Sequence, residues 1–340
     1  MKIKTILAAG AMTVAAVAAH NAQAGAVLDG IKAKGFVQCG VNTGLPGVAA
    51  ANAEGKWEGQ DVDFCRGLAA AILGDSNKVQ YTPLTAAARF TALQSGEIDV
   101  LARNTTATLT RDAKLGLTFL GINYYDGQGF LVPTALGVSS ATELDGATVC
   151  VEPGTTTELN LADYFRAKGM SFEPVVIENI NETTAAFFAG RCDVYTTDAS
   201  GLASIRNTMA PNPDDYMILP EIISKEPLGP LVAQGDDQLA DIGRWVLNAM
   251  IEAEELGVTM ANVDDMKANS TNPGVQRLLG VSPGMGEALG LDEAWAYNII
   301  KQVGNYGESY DATIKKMLGL ERGLNALWTD GGLMYAWPVR

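Results

Sequence analysis

The sequence predicts an α/β protein of two lobes, and three observations carry that prediction. The chain is 340 residues long with 47% hydrophobic and 19% charged residues, ordinary globular composition and enough length for two packed lobes. Short apolar runs bounded by glycine alternate with alanine-rich segments of helical spacing. One phrase, a helix, a glycine stop and an Asp-led strand, occurs once in each half. It reads Ala86 to Leu93, Gly96 and Ile98-Asp99-Val100-Leu101-Ala102 in the first half, then Ala185-Ala186-Phe187-Phe188-Ala189, Gly190 and Asp193-Val194-Tyr195 in the second. The flanking sequences differ, which argues for two lobes and against a duplicated domain.

The first 24 residues read as a secretion signal. Lys2 and Lys4 precede an apolar run from Ile6 to Ala19, and Ala22-Gln23-Ala24 supplies the small-x-small cleavage pattern, so the mature chain is expected to begin at Gly25. His20 and Asn21 end the run too early for a membrane anchor. Cleavage removes two lysines and no acids, taking the formal charge from −15 to −17, and it removes His20, the sole histidine. A mature chain without histidine runs neither a Ser-His-Asp nor a Cys-His mechanism and offers no imidazole to a metal. The acidic balance leaves no long basic face for nucleic acid or anionic lipid.

Along the mature chain, Phe36 to Val41 reads as a strand, broken by Gly44-Leu45-Pro46-Gly47. Asp61-Val62-Asp63-Phe64 alternates like a strand and leads into a helix from Arg66 to Leu73, stopped by Gly74. Tyr124 to Gly129 and Ser224 to Val232, rich in glycine and proline, are the expected crossovers between lobes. The apolar run Phe130 to Val132 lies between them, and the chain turns strongly helical from Asp237 through Glu255. Beyond it, Trp295, Trp328 and Trp337 are expected to pack into a core. The expected division is a signal peptide over 1–24, a first lobe over 25–131 plus 232–340 that includes a C-terminal extension, and a second lobe over 132–231.

Cys39, Cys65, Cys150 and Cys192 sit in a chain bound for an oxidising compartment, where disulfides are the default. Three pairings are possible. Their order suggests one bridge per half, Cys39 with Cys65 and Cys150 with Cys192; four free buried thiols are the alternative. The sequence holds no P-loop, no G-x-G-x-x-G and no G-x-S-x-G.

Two polar segments carry the recognition chemistry. Asp99 to Arg111 runs from a strand end into the hydroxyl-rich loop Arg103-Asn104-Thr105-Thr106, and such loops are where open α/β sheets bind ligands. In the other half, Glu152-Pro153-Gly154-Thr155-Thr156-Thr157 precedes a helix whose N-terminus suits an anion, and Tyr195-Thr196-Thr197-Asp198 ends a strand on a carboxylate. One arginine, several hydroxyls and one carboxylate match the two charged ends of an amino acid. Each threonine alone fits a turn or cap equally well, and Arg111 beside Asp112 fits a solvated pair.

Gly59-Gln60-Asp61-Val62-Asp63-Phe64, Asp99 through Arg111 and Asp193 through Asp198 resemble the bacterial extracellular solute-binding proteins of family 3. Arg89 to Gly96, Asp126 to Phe130, Gly154 to Arg166, Ile223 to Pro230 and Val303 to Glu308 resemble its broad-range general L-amino-acid-binding subfamily, so that the likeness spans the whole mature chain. The resemblance implies a type II periplasmic-binding-protein fold with hinge crossovers. It implies a clamp without catalysis or cofactor that passes an L-amino acid to an inner-membrane ABC permease; we expect a monomer. By position it implies that Arg111 holds the α-carboxylate with the Thr106 and Thr156 N–H groups. Asp198 would hold the ammonium with the Thr106 hydroxyl and the Asn104 carbonyl. Asn42, Leu45, Ala86, Arg103 and Thr157 would face the side chain. Leu45 stands where many relatives carry an aromatic platform, so side-chain specificity is not carried over. Two other functions share the fold: a secreted dehydratase, which here would need Glu152 or Glu158 as its acid or base, and a sensor feeding a chemoreceptor.

Overall fold

The computed structural model describes residues 25–340; the expected secretion signal lies outside them. Two five-stranded sheets organise the chain. The first runs in the order Val79–Leu84, Val37–Asn42, Val100–Leu101, Leu231–Ala233, Leu117–Phe119. Its first three strands are parallel, and Leu231–Ala233 runs antiparallel to both of its neighbours. The second runs Phe172–Val176, Ala147–Val151, Val194–Asp198, Gln128–Pro133, Tyr216–Ile218, again with three parallel strands followed by antiparallel pairings. Parallel strands are buried on both faces, and accordingly Val37, Cys39, Val41, Val149, Cys150, Val194 and Tyr195 are all buried.

Between the sheets, Tyr124–Asp126 pairs antiparallel with Glu226–Leu228, a two-stranded ribbon through which the chain passes twice. Both strands lie in the segments that proline and glycine marked as crossovers. The expected boundary at 131/132 falls inside the strand Gln128–Pro133, all of which belongs to the second sheet, while Leu231 already pairs in the first. Apolar runs alone do not show where a ladder begins, because Gln128 and Gly129 already pair with Asp198 and Thr197 ahead of the apolar run.

One helix corrects the sequence reading. Asp61 to Phe64, expected as alternating strand, forms the first turns of the helix Gln60–Leu73. Both faces of that turn are buried, so polar and apolar positions do not report a sheet surface. Asp61 accepts bonds from the Asn104 N–H (2.7 Å) and the Asn123 amide (2.8 Å), and Asp63 accepts one from the Ser309 hydroxyl (2.8 Å). Acids at a helix start also suit the helix dipole. Gly59 makes this start possible: its φ is +136°, and a Cβ there would lie 2.2 Å from the Val48 carbonyl oxygen. Gly74 closes the helix in the left-handed conformation.

Disulfides join Cys39 on a strand to Cys65 on this helix and Cys150 to Cys192 in the second sheet region. The helix Asp237–Glu255 packs under the first sheet and carries the C-terminal extension, a series of short helices from Val263 to Leu318 and an irregular tail. Trp295 is 1% exposed and is core, but Trp328 and Trp337 are 51% and 53% exposed. Those two pack against single rings, Trp337 edge-on to Trp245 with Arg244 over its ring and Trp328 tilted against Tyr335, because the tail lies on the surface with few helices to cover it. No helix among the described residues is long and apolar enough to cross a membrane.

The contact at Gly59 predicts that Gly59→Ala lowers the unfolding free energy by at least about 2 kcal/mol. Gly30→Ala, inside the helix Ala26–Lys34 with nothing near its would-be Cβ, should instead raise it by about 0.5–1 kcal/mol. Urea unfolding of both variants checks the pair.

Candidate ligand cleft

The polar segments converge because each follows the carboxyl end of a strand. Asn42 ends Val37–Asn42, Arg103 to Thr106 follow Val100–Leu101, Asp198 ends Val194–Asp198, and Glu152 to Thr157 lead from Ala147–Val151 into the helix Thr156–Lys168. They enclose one cavity between the lobes, lined by Asn42, Leu45, Arg89, Arg103, Asn104, Thr106, Glu152, Thr155, Thr156, Thr157, Ile180, Thr197, Asp198 and Gly201. The cavity measures about 20 Å³, close to what one water occupies. Anything the size of an amino acid therefore enters only when the lobes part.

Polar bonds span this closed cleft. The Asn104 amide donates to Asp198 (3.1 Å), the Thr106 and Thr156 hydroxyls meet at 3.2 Å, and Arg103 approaches Glu152 at 3.7 Å. Farther out, the Thr85 hydroxyl donates to Glu178 (2.7 Å) and the Ser204 hydroxyl to the Pro46 carbonyl (2.8 Å). Asn104 is the single non-glycine residue with positive φ among those described, at 30°. Its amide also accepts from Asn42 (3.0 Å) while its N–H binds Asp61, so three partners hold a strained backbone in place at the cleft floor.

Glu226 organises the hinge side. Buried on the ribbon, it accepts hydrogen bonds from the Thr106 hydroxyl (2.6 Å), the Thr156 hydroxyl (2.8 Å), the Asn160 amide (2.8 Å) and the Ser224 hydroxyl (2.6 Å). One carboxylate thus ties a loop of the first lobe to a helix start of the second.

The sequence pattern of the bacterial extracellular solute-binding proteins, family 3, matches residues 37–261. The chain belongs to this family. It is 58% identical, over the full length of both chains, to the general L-amino acid-binding periplasmic protein AapJ of Rhizobium johnstonii. It is 55% identical to the glutamate/glutamine/aspartate/asparagine-binding protein BztA of Rhodobacter capsulatus, over 97% of this chain and 98% of that one. A periplasmic binding protein from Brucella ovis, solved with glutathione bound, superposes with a TM-score of 0.89 at 57% identity, covering 92% of this chain and 99% of its own.

Of the ten residues singled out from sequence, Asn42, Leu45, Arg103, Asn104, Thr106, Thr156, Thr157 and Asp198 line the cavity; Arg111 and Ala86 do not. Arg111 sits one layer behind, its guanidinium donating to the Thr106 carbonyl (2.9 Å) and lying 5.1 Å from the Phe90 ring centre. Ala86 is buried on the first-lobe side, near Gly154. The cap of the helix Thr156–Lys168 is Thr155, whose hydroxyl accepts from the Glu158 N–H (3.0 Å), which frees Thr156 to face the cleft. Sequence reasoning missed Arg89 and Glu226. Arg89 begins a short helix and stands out only as a cation in an otherwise apolar stretch; Glu226 lies in a proline-rich crossover where nothing marks a carboxylate as buried.

Burial governs the electrostatics. It pushes the Asp198 carboxyl well above its ordinary range, with repulsion from Asp126 and Glu226 adding to the effect and the Asn104 hydrogen bond opposing it. It pulls Arg111 down to about 10 against the Glu226 and Asp198 charges, and it lowers Arg103 despite Glu152. Asp126, on the ribbon opposite Glu226, is raised by burial to about 6 in spite of the Ser200 and Gly127 hydrogen bonds. No cluster of three or more metal-ligating side chains occurs among the described residues.

A carboxyl raised from 3.8 to about 6 stabilises the fold while protonated, and that contribution is lost as pH rises through this window. Asp126→Asn should therefore flatten the dependence of unfolding free energy on pH between about 4 and 6. Urea titrations across that range check it.

Proposed function

We propose that the protein is the periplasmic amino-acid-binding component of an ABC transporter. Its lobes, 25–126 with 227–340 and 127–226, close on the main chain of an L-amino acid and hand it to an inner-membrane permease. The carrying observation is that two buried charges from opposite lobes flank the same threonine loop: Arg111, with no carboxylate within 4 Å among the described residues, donates to the Thr106 carbonyl, and Asp198 accepts from the Asn104 amide. Arg111 and the N–H groups of Thr106 and Thr156 take the α-carboxylate; Asp198, the Thr106 hydroxyl and the Asn104 carbonyl take the ammonium. Each charge then leaves water for a charged partner, as burial demands.

The family, and the relatives named for general amino-acid and for acidic and amide amino-acid binding, support this reading. The leader of residues 1–24 is a cleavable export signal, and the protein acts as a monomer. Catalysis is no part of the proposal: Glu152 is engaged by Arg103 and the Tyr195 hydroxyl (3.3 Å), and Glu158 caps the Gly154 N–H (3.0 Å).

Truncating one partner of a buried charge pair costs about 2–5 kcal/mol. Arg111→Ala and Asp198→Ala should each weaken every ligand at least about 30-fold, while Arg166→Ala, whose side chain is 77% exposed, changes affinity little. Calorimetry of ligand-stripped protein against all L-amino acids checks this. It should also find several chemically different L-amino acids bound and their D-enantiomers bound more weakly, because a misfit methylene costs only about 1–3 kcal/mol.

A further inference from the structure

Three guanidinium groups converge on the cleft, and their partners do not balance. Arg103, Arg111 and Arg89 are all buried, Arg89 to 2% exposure. Arg103 has Glu152 at 3.7 Å and donates through Nε to the Leu84 carbonyl (2.8 Å). The proposed α-carboxylate site uses Arg111. Arg89 is left over. Its terminal nitrogens reach the Thr105 hydroxyl and the Gly154 carbonyl only at 3.5 Å each, at the limit of a hydrogen bond, and its Nε has no partner at all. No carboxylate lies within 4 Å of it among the described residues.

The carboxylates that face Arg89 are already committed. Glu152 is held by Arg103 and Tyr195, and Asp198 by the Asn104 amide. Burial and repulsion from Arg103 and Arg111 both disfavour its charge, and Asp198 and Glu152 only partly offset them. A desolvated, fork-shaped donor with free N–H groups at a cavity wall is suited to a carboxylate that arrives from outside.

We propose that Arg89 receives a second carboxylate of the ligand, so that the cleft favours amino acids with an anionic side chain over neutral ones of equal size. The inference rests on the amino-acid-binding reading above and deepens it by naming the preferred ligand class. Arg89 and Arg111, neither with a carboxylate within 4 Å among the described residues, match the two carboxylates of such a ligand, and Asp198, held in the cleft only by the neutral Asn104 amide, matches its ammonium; neutral amino acids leave Arg89 unsatisfied while still binding through the main-chain clamp.

The test is calorimetry of wild-type protein, Arg89→Met and Arg89→Lys with L-glutamate and L-glutamine, which share size and main chain. Wild type should bind glutamate at least about 10-fold more tightly than glutamine, and Arg89→Met should lose at least about 30-fold for glutamate but less than about 3-fold for glutamine. Arg89→Lys, which keeps the charge but not the fork, should fall between the two. Equal losses for both ligands would overturn the proposal in favour of a structural role, and so would an Arg89→Met protein with wild-type affinity for glutamate. A wild type that binds glutamine as tightly as glutamate would overturn it without any variant and leave the clamp reading standing. A wild type that binds no amino acid would overturn both.

Discussion

A charge taken out of water between two protein surfaces is costly unless an opposite charge or a set of hydrogen-bond donors meets it there, and this constraint shapes the cleft. Arg89, Arg103, Arg111, Glu152, Asp198 and Glu226 are all buried where the lobes meet, in a chain whose remaining surface is strongly acidic. Glu226 and Glu152 satisfy part of this set by bonds across the cleft. In the proposed clamp the ligand supplies the rest, so the free energy of closure depends on what the ligand carries.

The scaffold positions these charges through strand ends. Three parallel strands in each sheet deliver their following loops to one edge, and the ribbon Tyr124–Asp126 with Glu226–Leu228 sets the two edges face to face. Each disulfide lies within one sheet region, between sheet and adjacent segment, so each lobe is braced while the chain passes between them through the ribbon. Buried Asp61 extends the design one layer outward: it fixes the Asn104 backbone and the Asn123 amide, and the Tyr306 hydroxyl binds the Asn123 carbonyl at 2.9 Å. Through these bonds the C-terminal extension supports the floor of the cleft, which accounts for a buried aromatic so far from it in sequence.

Much of this was legible from residue order. Hydroxyl-rich loops at strand ends pointed to Asn104, Thr106 and Asp198 because polar residues there have few other reasons to cluster, and Gly74, Gly96 and Gly190 marked the ends of three helices. What was not legible depends on which side of an element faces inward. Arg89 begins an amphipathic helix, where an arginine ordinarily reads as a solvated flank, and only the approach of the second lobe at Gly154 buries it. Glu226 and Asp126 read as parts of a connection, since burial of a ribbon has no sequence period. Asp61 and Asp63 read as strand alternation because a helix buried on all sides loses its own period. Trp328 and Trp337 failed in the opposite sense: size suggested core, but the tail that carries them lies on the surface.

The measurement that tests the account most directly is a crystal structure of the protein with L-glutamate. The account predicts the ammonium on Asp198, the α-carboxylate on Arg111 with the Thr106 and Thr156 N–H groups, and the side-chain carboxylate on Arg89. A bound glutamate whose α-carboxylate rests on Arg89 while Arg111 still caps the Thr106 carbonyl would contradict it.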